Sequence, residues 1–165
     1  MHFRNRQEAG KKLAKILAPI VKNQPGIIYG LARGGVVVAR EVAHTLHFPL
    51  DVLIPRKIGS PMQPEFAIGA VSEHGHIIKN EQVQTPIDLD WFSEEVKRQH
   101  HIIQNRRHLY APNGPVSAQR KIAIIVDDWI ATGLTMQAAV SDIQDGHPLK
   151  IIIAVPVIPV DIKES

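Results

Sequence analysis

Ile124-Ile125-Val126-Asp127-Asp128-Trp129-Ile130-Ala131-Thr132-Gly133-Leu134-Thr135-Met136 is the stretch on which the rest of the chain is read. It closes an apolar run, Lys121 to Val126, whose continuity suits a central strand covered on both faces. Two adjacent carboxylates end that strand. A short loop with hydroxyls and one glycine spans Asp127 to Thr135, and the residues from Met136 to Gln144 predict a helix. Ligands of open parallel sheets sit outside the carboxyl ends of the strands. Thr132 to Met136 would gather backbone N–H groups, two hydroxyls and a helix N-terminus around one point, which is how proteins hold a phosphate. Asp127 and Asp128 repel phosphate. They suit sugar hydroxyls, or a hard cation that also touches the substrate. Taken singly, the acids read as a solvated turn and Thr132-Gly133 as a plain helix cap. Contiguous, they describe a ribose 5-phosphate site.

Working outward, Gly26 to Leu31 predicts a short buried strand, Arg33-Gly34-Gly35 a turn, and Val36 to Leu46 a helix packing Val37, Ala39 and Val42 inward. Leu50 to Ile54 predicts a second strand, stopped by Pro55. Strand, helix, strand is the unit of a parallel sheet. Upstream, Leu13, Ile16, Leu17 and Ile20 form one stripe of an amphipathic helix, with Asn5 and Glu8 as a capping box and Gln24-Pro25-Gly26 as breakers. Arg56 to Glu65 lacks periodicity and carries Gly59, Pro61 and Pro64, so it predicts a mobile loop. Phe66 to Val71 and His76 to Lys79 flank Glu73-His74-Gly75 as a hairpin. Asp90, as a cap, opens a long helix to about Tyr110 with Phe92, Val96 and Ile103 on one face. Ala111 to Gln119 predicts a linker, and Ile151 to Val155 another buried strand.

Composition narrows the classes. The 165 residues fit one domain with a real core; 44% are hydrophobic and 21% charged, as in ordinary soluble proteins. With no cysteine, disulfides, zinc thiolates and cysteine nucleophiles are excluded. No apolar run is long enough to span a bilayer, and the start, Met1-His2-Phe3-Arg4, lacks a signal-peptide core, so a cytoplasmic location is the expectation. A net charge of +3 suits an anionic small molecule and is too weak for nucleic acid. His100 and His101 diverge by about 100° on their helix and make a poor metal pair. His74 and His76 could share a strand face, but read as a solvated hairpin. Trp91 and Met136 read as packing residues.

Val126 to Met136 resembles the phosphoribosyl pyrophosphate motif of type I phosphoribosyltransferases: an apolar strand, two acids, a few variable positions, then Thr-Gly-x-Thr. Phe3-Arg4-Asn5-Arg6, Leu31 to Gly35, Pro49 to Leu53, Arg56 to Gly59, Pro64 to Val71 and Ala154 to Val157 resemble a bacterial and archaeal group of that family, so nearly the whole chain is covered. The resemblance implies an α/β fold, a mostly parallel sheet with helices on both faces and a small hairpin or hood insertion at about 56–115, all within a single domain over 1–165. It implies that Ala131, Thr132, Gly133, Leu134 and Thr135 hold the 5-phosphate. Ala32, Arg33, Gly34 and Gly35 would form the pyrophosphate loop, where relatives often carry a non-proline cis peptide. Asp127, Asp128 and Lys57 would act in catalysis, and the two acids would hold Mg2+, directly or through water. Arg56 and Lys57 would begin a flexible loop that closes over the substrate and excludes water.

The implied reaction belongs to nucleotide salvage. A nitrogenous acceptor, such as a nucleobase, displaces pyrophosphate from 5-phosphoribosyl 1-pyrophosphate through an oxocarbenium-like transition state. Departures narrow it. Ala131 stands where hypoxanthine–guanine enzymes carry an acidic base, which counts against a 6-oxopurine, although adenine-type members accept alanine there. Trp129 and Leu134 replace smaller residues and could narrow the phosphate loop. Relatives continue past Ala154-Val155-Pro156-Val157, so the acceptor hood would come from Arg56 to Pro115, from another subunit, or be absent. The alternative is a catalytically weak or inactive member that binds phosphoribosyl pyrophosphate or a nucleotide as a regulator. The long helix could form a homodimer surface or cover the chain's own sheet. No nucleic-acid or membrane partner is implied.

Overall fold

The computed structural model describes residues 3–84, 86–112 and 114–158. In chain order the elements are α1 (Arg6–Leu17), β1 (Gly26–Leu31), α2 (Gly34–Leu46), β2 (Leu50–Leu53), β3 (Arg56–Gly59), β4 (Ala67–Val71), β5 (Ile77–Lys79), α3 (Leu89–Tyr110), β6 (Ile122–Val126), α4 (Leu134–Asp145) and β7 (Lys150–Ala154). They fall into two compact units. The first takes the described residues of Met1–Leu53, Asn113–Ala131 and Ile143–Ser165; the second takes those of Ile54–Pro112 and Thr132–Asp142.

The first unit is built on a four-stranded parallel sheet in the order β2-β1-β6-β7. Its two central strands are apolar and fully buried, as the continuous runs predict. Side chains alternate across a strand. Ile28, Ile122, Ile124 and Val126 meet Ala14 and Leu17 of α1 and Val38, Ala39 and Val42 of α2 in one core, while Ile27, Ala123 and Ile125, on the alternate positions, are equally inaccessible. The inward stripes differ from the sequence reading. On α1, Ala9, Gly10, Ala14 and Leu17 are buried whereas Ile16 is exposed, as is Ile20 just beyond the helix. Gly10 is the reason: a Cβ there would lie 2.6 Å from the Val38 carbonyl, so the helices meet along the small residues. On α2 this contact rotates Val38 inward in place of Val37. Among the described residues β7 pairs only with β6, and Ile153 is exposed, so the expected full burial does not hold.

The cap of α1 forms as expected on one side: Asn5 Oδ1 accepts from Glu8 N–H at 2.9 Å. The return contact shifts by one residue, because the Glu8 carboxylate accepts from Arg4 N–H. That bond, with Lys12 and the Arg4 side chain, holds the Glu8 carboxyl down at about 2. The linker after α3 is anchored rather than loose. Buried Asp51 accepts from Val116 N–H at 2.8 Å and from Val52 N–H at 2.7 Å, and Tyr29 Oη donates to Val116 O at 2.6 Å.

The second unit carries an antiparallel sheet, β3-β4-β5, with a register shift at Ile58/Gly59. The expected hairpin is β4–β5. The expected loop over Arg56 to Glu65 is corrected at its start: Arg56 to Gly59 is strand β3, and the signal was hidden because its one buried apolar residue is Ile58, while 60–65 carry no helix or strand. The start of α3 is also corrected. Asp88, not Asp90, is the cap and accepts from Asp90 and Trp91 N–H. Phe92, Gln99 and Ile103 form its buried side, and Val96 is half-buried. On α4, buried Asp142 accepts from Glu73 N–H at 2.9 Å and His74 N–H at 3.3 Å, with His74 Nδ1 at 3.4 Å. The two histidines therefore flank an anchored turn, not a fully solvated one. Among the described residues no helix is long and apolar enough to cross a membrane.

Asp51→Ala removes the acceptor for a buried N–H group, which costs about 1–3 kcal/mol. We expect a melting temperature lower by about 3–8 °C, together with faster proteolysis at Arg120 and Lys121; an unchanged melt shows that Asp51 does not anchor the linker.

Candidate active site

β1 and β6 run side by side with Gly30 paired to Val126, so the turns that follow them lie together at the carboxyl edge of the sheet. After β1 the chain passes through the Ala32–Arg33 peptide, which is cis as the resemblance implies, and enters α2 at Gly34. After β6 come Asp127 and Asp128. The two turns pack without space for side chains. A Cβ on Gly34 would lie 2.2 Å from Asp128 Oδ2; one on Gly35 would lie 2.7 Å from Val126 O and 2.8 Å from Asp127 Cα. In a pyrophosphate loop, glycines let an anion approach the backbone. Here their missing side chains make room for the acid pair. Neither has a positive φ, so the requirement is space and not backbone conformation.

The two acids differ. Asp128 N–H donates to Asp127 Oδ1 at 2.8 Å. Burial, and then Asp128 beside it, disfavour the charged form of Asp127 and push its carboxyl up to about 7. Asp128 Oδ2 instead accepts from Arg6, with Nε and Nη2 both at 2.7 Å. Arg6 lies within the resembling Phe3-Arg4-Asn5-Arg6, where the sequence alone assigns it no role. It stands 122 residues away in sequence, and only the fold brings it to the acid.

The segment from Asp127 runs on without a break into α4. Gly133 has φ +76, which favours glycine, and its carbonyl accepts the first helical bond from Gln137. α4 begins at Leu134, two residues before the expected start. Leu134 turns inward onto Ala70 and Ala138 and so does not project into its own loop. Ala131 and Thr132 are exposed and Thr135 is half-buried. Thr132, Leu134 and Gln137 line a cleft of about 700 Å³ with Ile77 to Gln82 of the hairpin end. Trp129 is exposed.

Arg56 and Lys57, expected on a loop, stand in β3 of the second unit. Arg56 donates to Gln99 of α3, and its guanidinium is lowered by burial and then by the charges of Arg106 and Arg98. Lys57 pairs with Glu65 at 2.7 Å. With Trp91, Glu95 and Arg98 they line a groove of about 410 Å³. Among the described residues no group of three or more His, Asp or Glu side chains could hold a metal ion.

Two outcomes follow. Gly35→Ala drives a Cβ into backbone on two sides, and overpacking of this kind costs roughly 2 kcal/mol or more; a melting temperature within 1 °C of the parent, against an expected fall of about 4 °C or more, refutes the close packing. A carboxyl raised on folding stabilises fully below its unfolded value and loses that contribution as pH rises through its folded value. Asp127 therefore weakens the metal-free fold between about pH 4 and pH 7. The Asp127→Asn variant should gain on the parent across that window, by about 3 °C at pH 8; parallel melting curves contradict the shift.

The model of the phosphoribosyl transferase domain matches residues 3–161. The crystal structure of TT1426 from Thermus thermophilus is 40% identical, with a TM-score of 0.75 over 96% of this chain and 76% of that one. A purine phosphoribosyltransferase from Pyrococcus horikoshii Ot3 is 20% identical with a TM-score of 0.53, over 91% of this chain and 71% of that one, and shares the fold. The Mycobacterium tuberculosis (strain ATCC 25618 / H37Rv) protein named "Putative phosphoribosyl transferase Rv0571c" is 39% identical over 97% of this chain. The chain spans 37% of that relative's length. Family model, identity and fold agree, and the chain belongs to the phosphoribosyl transferase domain family.

Proposed function

We propose that this chain binds 5-phosphoribosyl 1-pyrophosphate and transfers its 5-phosphoribosyl group to a nitrogenous acceptor, a nucleobase, with release of pyrophosphate. The observation that carries the reading is the seating of the loop Ala32–Gly35 on Asp127 and Asp128, with no room for a Cβ between them. It brings anion-binding backbone and hydroxyl-binding acids to one edge of a parallel sheet, where ligands of such sheets bind.

The residues divide the work by their chemistry. Ala32, Arg33, Gly34 and Gly35 take the pyrophosphate. Ala131, Thr132, Gly133, Leu134 and Thr135 take the 5-phosphate at the start of a helix. Asp127, which keeps its proton close to neutrality, can donate to a ribose hydroxyl oxygen, and Asp128, ion-paired, accepts from one. Arg56 and Lys57 supply cations for the departing pyrophosphate, within a hood formed by about 56–115 of a single phosphoribosyltransferase-like domain. Two carboxylates, one of them reluctant to ionise, fit magnesium shared with substrate phosphates and water rather than a cage of protein ligands. When bound there, magnesium neutralises charge on the leaving group. The protein's own contribution is positioning and electrostatic stabilisation.

The alternative, binding without transfer, is favoured by Ala131, which leaves an exposed methyl where a general base is needed for a 6-oxopurine. Pyrophosphate release from phosphoribosyl pyrophosphate, with magnesium and a panel of nucleobases, tests both. Transfer predicts release with at least one base, and a fall of about 100-fold or more in the Asp127→Asn, Asp128→Asn double variant. Release as fast as the parent's overturns the site. Tight binding by calorimetry with no turnover across the panel selects the regulatory reading.

A further inference from the structure

The loop Ala32–Gly35 has two properties in conflict. As a pyrophosphate seat, the reading on which this inference rests, it must welcome negative charge. Yet the same backbone is pressed against acids: a Cβ on Gly34 would lie 2.2 Å from Asp128 Oδ2, and one on Gly35 2.9 Å from Asp127 Oδ1. An anion held by these glycines would have Asp128 as its neighbour. Like charges that close repel, and more strongly where a ligand excludes water. The seat works only if cations offset that repulsion: the magnesium proposed above, a protein group beside Asp128, or both.

Arg6 is the protein cation that stands at Asp128. Its Nε and Nη2 both reach Asp128 Oδ2, so the acid next to the loop is already neutralised. That contact uses two of the five N–H donors of a guanidinium, whose fork is suited to phosphate oxygens. Fold stability does not account for Arg6. The pair is open to solvent, with the Arg6 side chain 58% exposed, and exposed ion pairs contribute little. Arg6 is also the first residue of α1, at the positive end of the helix dipole, where a cation is disfavoured. The Asn5 cap holds that first turn in place and so aims the side chain.

We propose that Arg6 is a ligand-binding residue: it screens Asp128 and donates to the pyrophosphate seated on Ala32–Gly35. Calorimetry on the full chain with magnesium, using 5-phosphoribosyl 1-pyrophosphate, inorganic pyrophosphate and ribose 5-phosphate, tests it on the parent, Arg6→Ala and Arg6→Lys. Loss of a charge-assisted contact predicts about 10-fold or more weaker binding of both pyrophosphate-bearing ligands to Arg6→Ala. Ribose 5-phosphate should change by less than about threefold, and Arg6→Lys should fall between, because lysine keeps the charge and loses the fork. Equal loss for all three ligands shows a merely structural role. Unchanged or tighter pyrophosphate binding shows that Arg6 is inert or only obstructs Asp128. Either result overturns the assignment while leaving the site standing. A parent that binds neither pyrophosphate-bearing ligand overturns both.

Discussion

The contact on which this molecule turns is the one between two bends of backbone at the carboxyl edge of the parallel sheet. The turn after β1 and the turn after β6 approach until Gly34 and Gly35 have carboxylates and main chain where side chains would stand. The strands arrange this by pairing in register, Gly30 opposite Val126. Both strands are buried on both faces, so a slip of one residue would carry every side chain to the opposite face of a packed core. Packing thus dictates where the acids sit.

Electrostatics follow from that placement. Two carboxylates side by side cannot share one environment equally. Both are half-buried; one inclines to keep its proton, and the other has drawn in a guanidinium from the far end of the sequence. The pair is therefore already differentiated before any ligand arrives. In the second unit the opposite charge gathers, with Arg106 and Arg98 acting on Arg56 and Glu95 partly offsetting them.

Much of this was legible in the chain. β1 and β6 are unbroken apolar runs, and the Asp-Asp and Thr-Gly-x-Thr signals sit in one segment, so sheet and site could be placed from sequence. What could not be read depends on neighbours. β3 has one buried apolar residue in four and looks like loop until β4 pairs with it. The buried faces of α1 and α2 follow from how closely Gly10 lets the helices approach, which hydrophobic spacing does not record. The α3 cap lies two residues before the expected one, because Asp88 and Asp90 are chemically alike and only the course of the chain selects between them. Arg6 carries no local signal; its partner is 122 residues away.

α4 is fastened to one hairpin of the second unit at two places. Leu134, at its first turn, is lodged against Ala70 and Ala138, while Asp142 grips the backbone of the β4–β5 bend. Eight residues of helix separate them, roughly 12 Å of a rod that resists stretching because every turn is hydrogen-bonded to the next. The helix thus works as a strut that sets the spacing between its two ends.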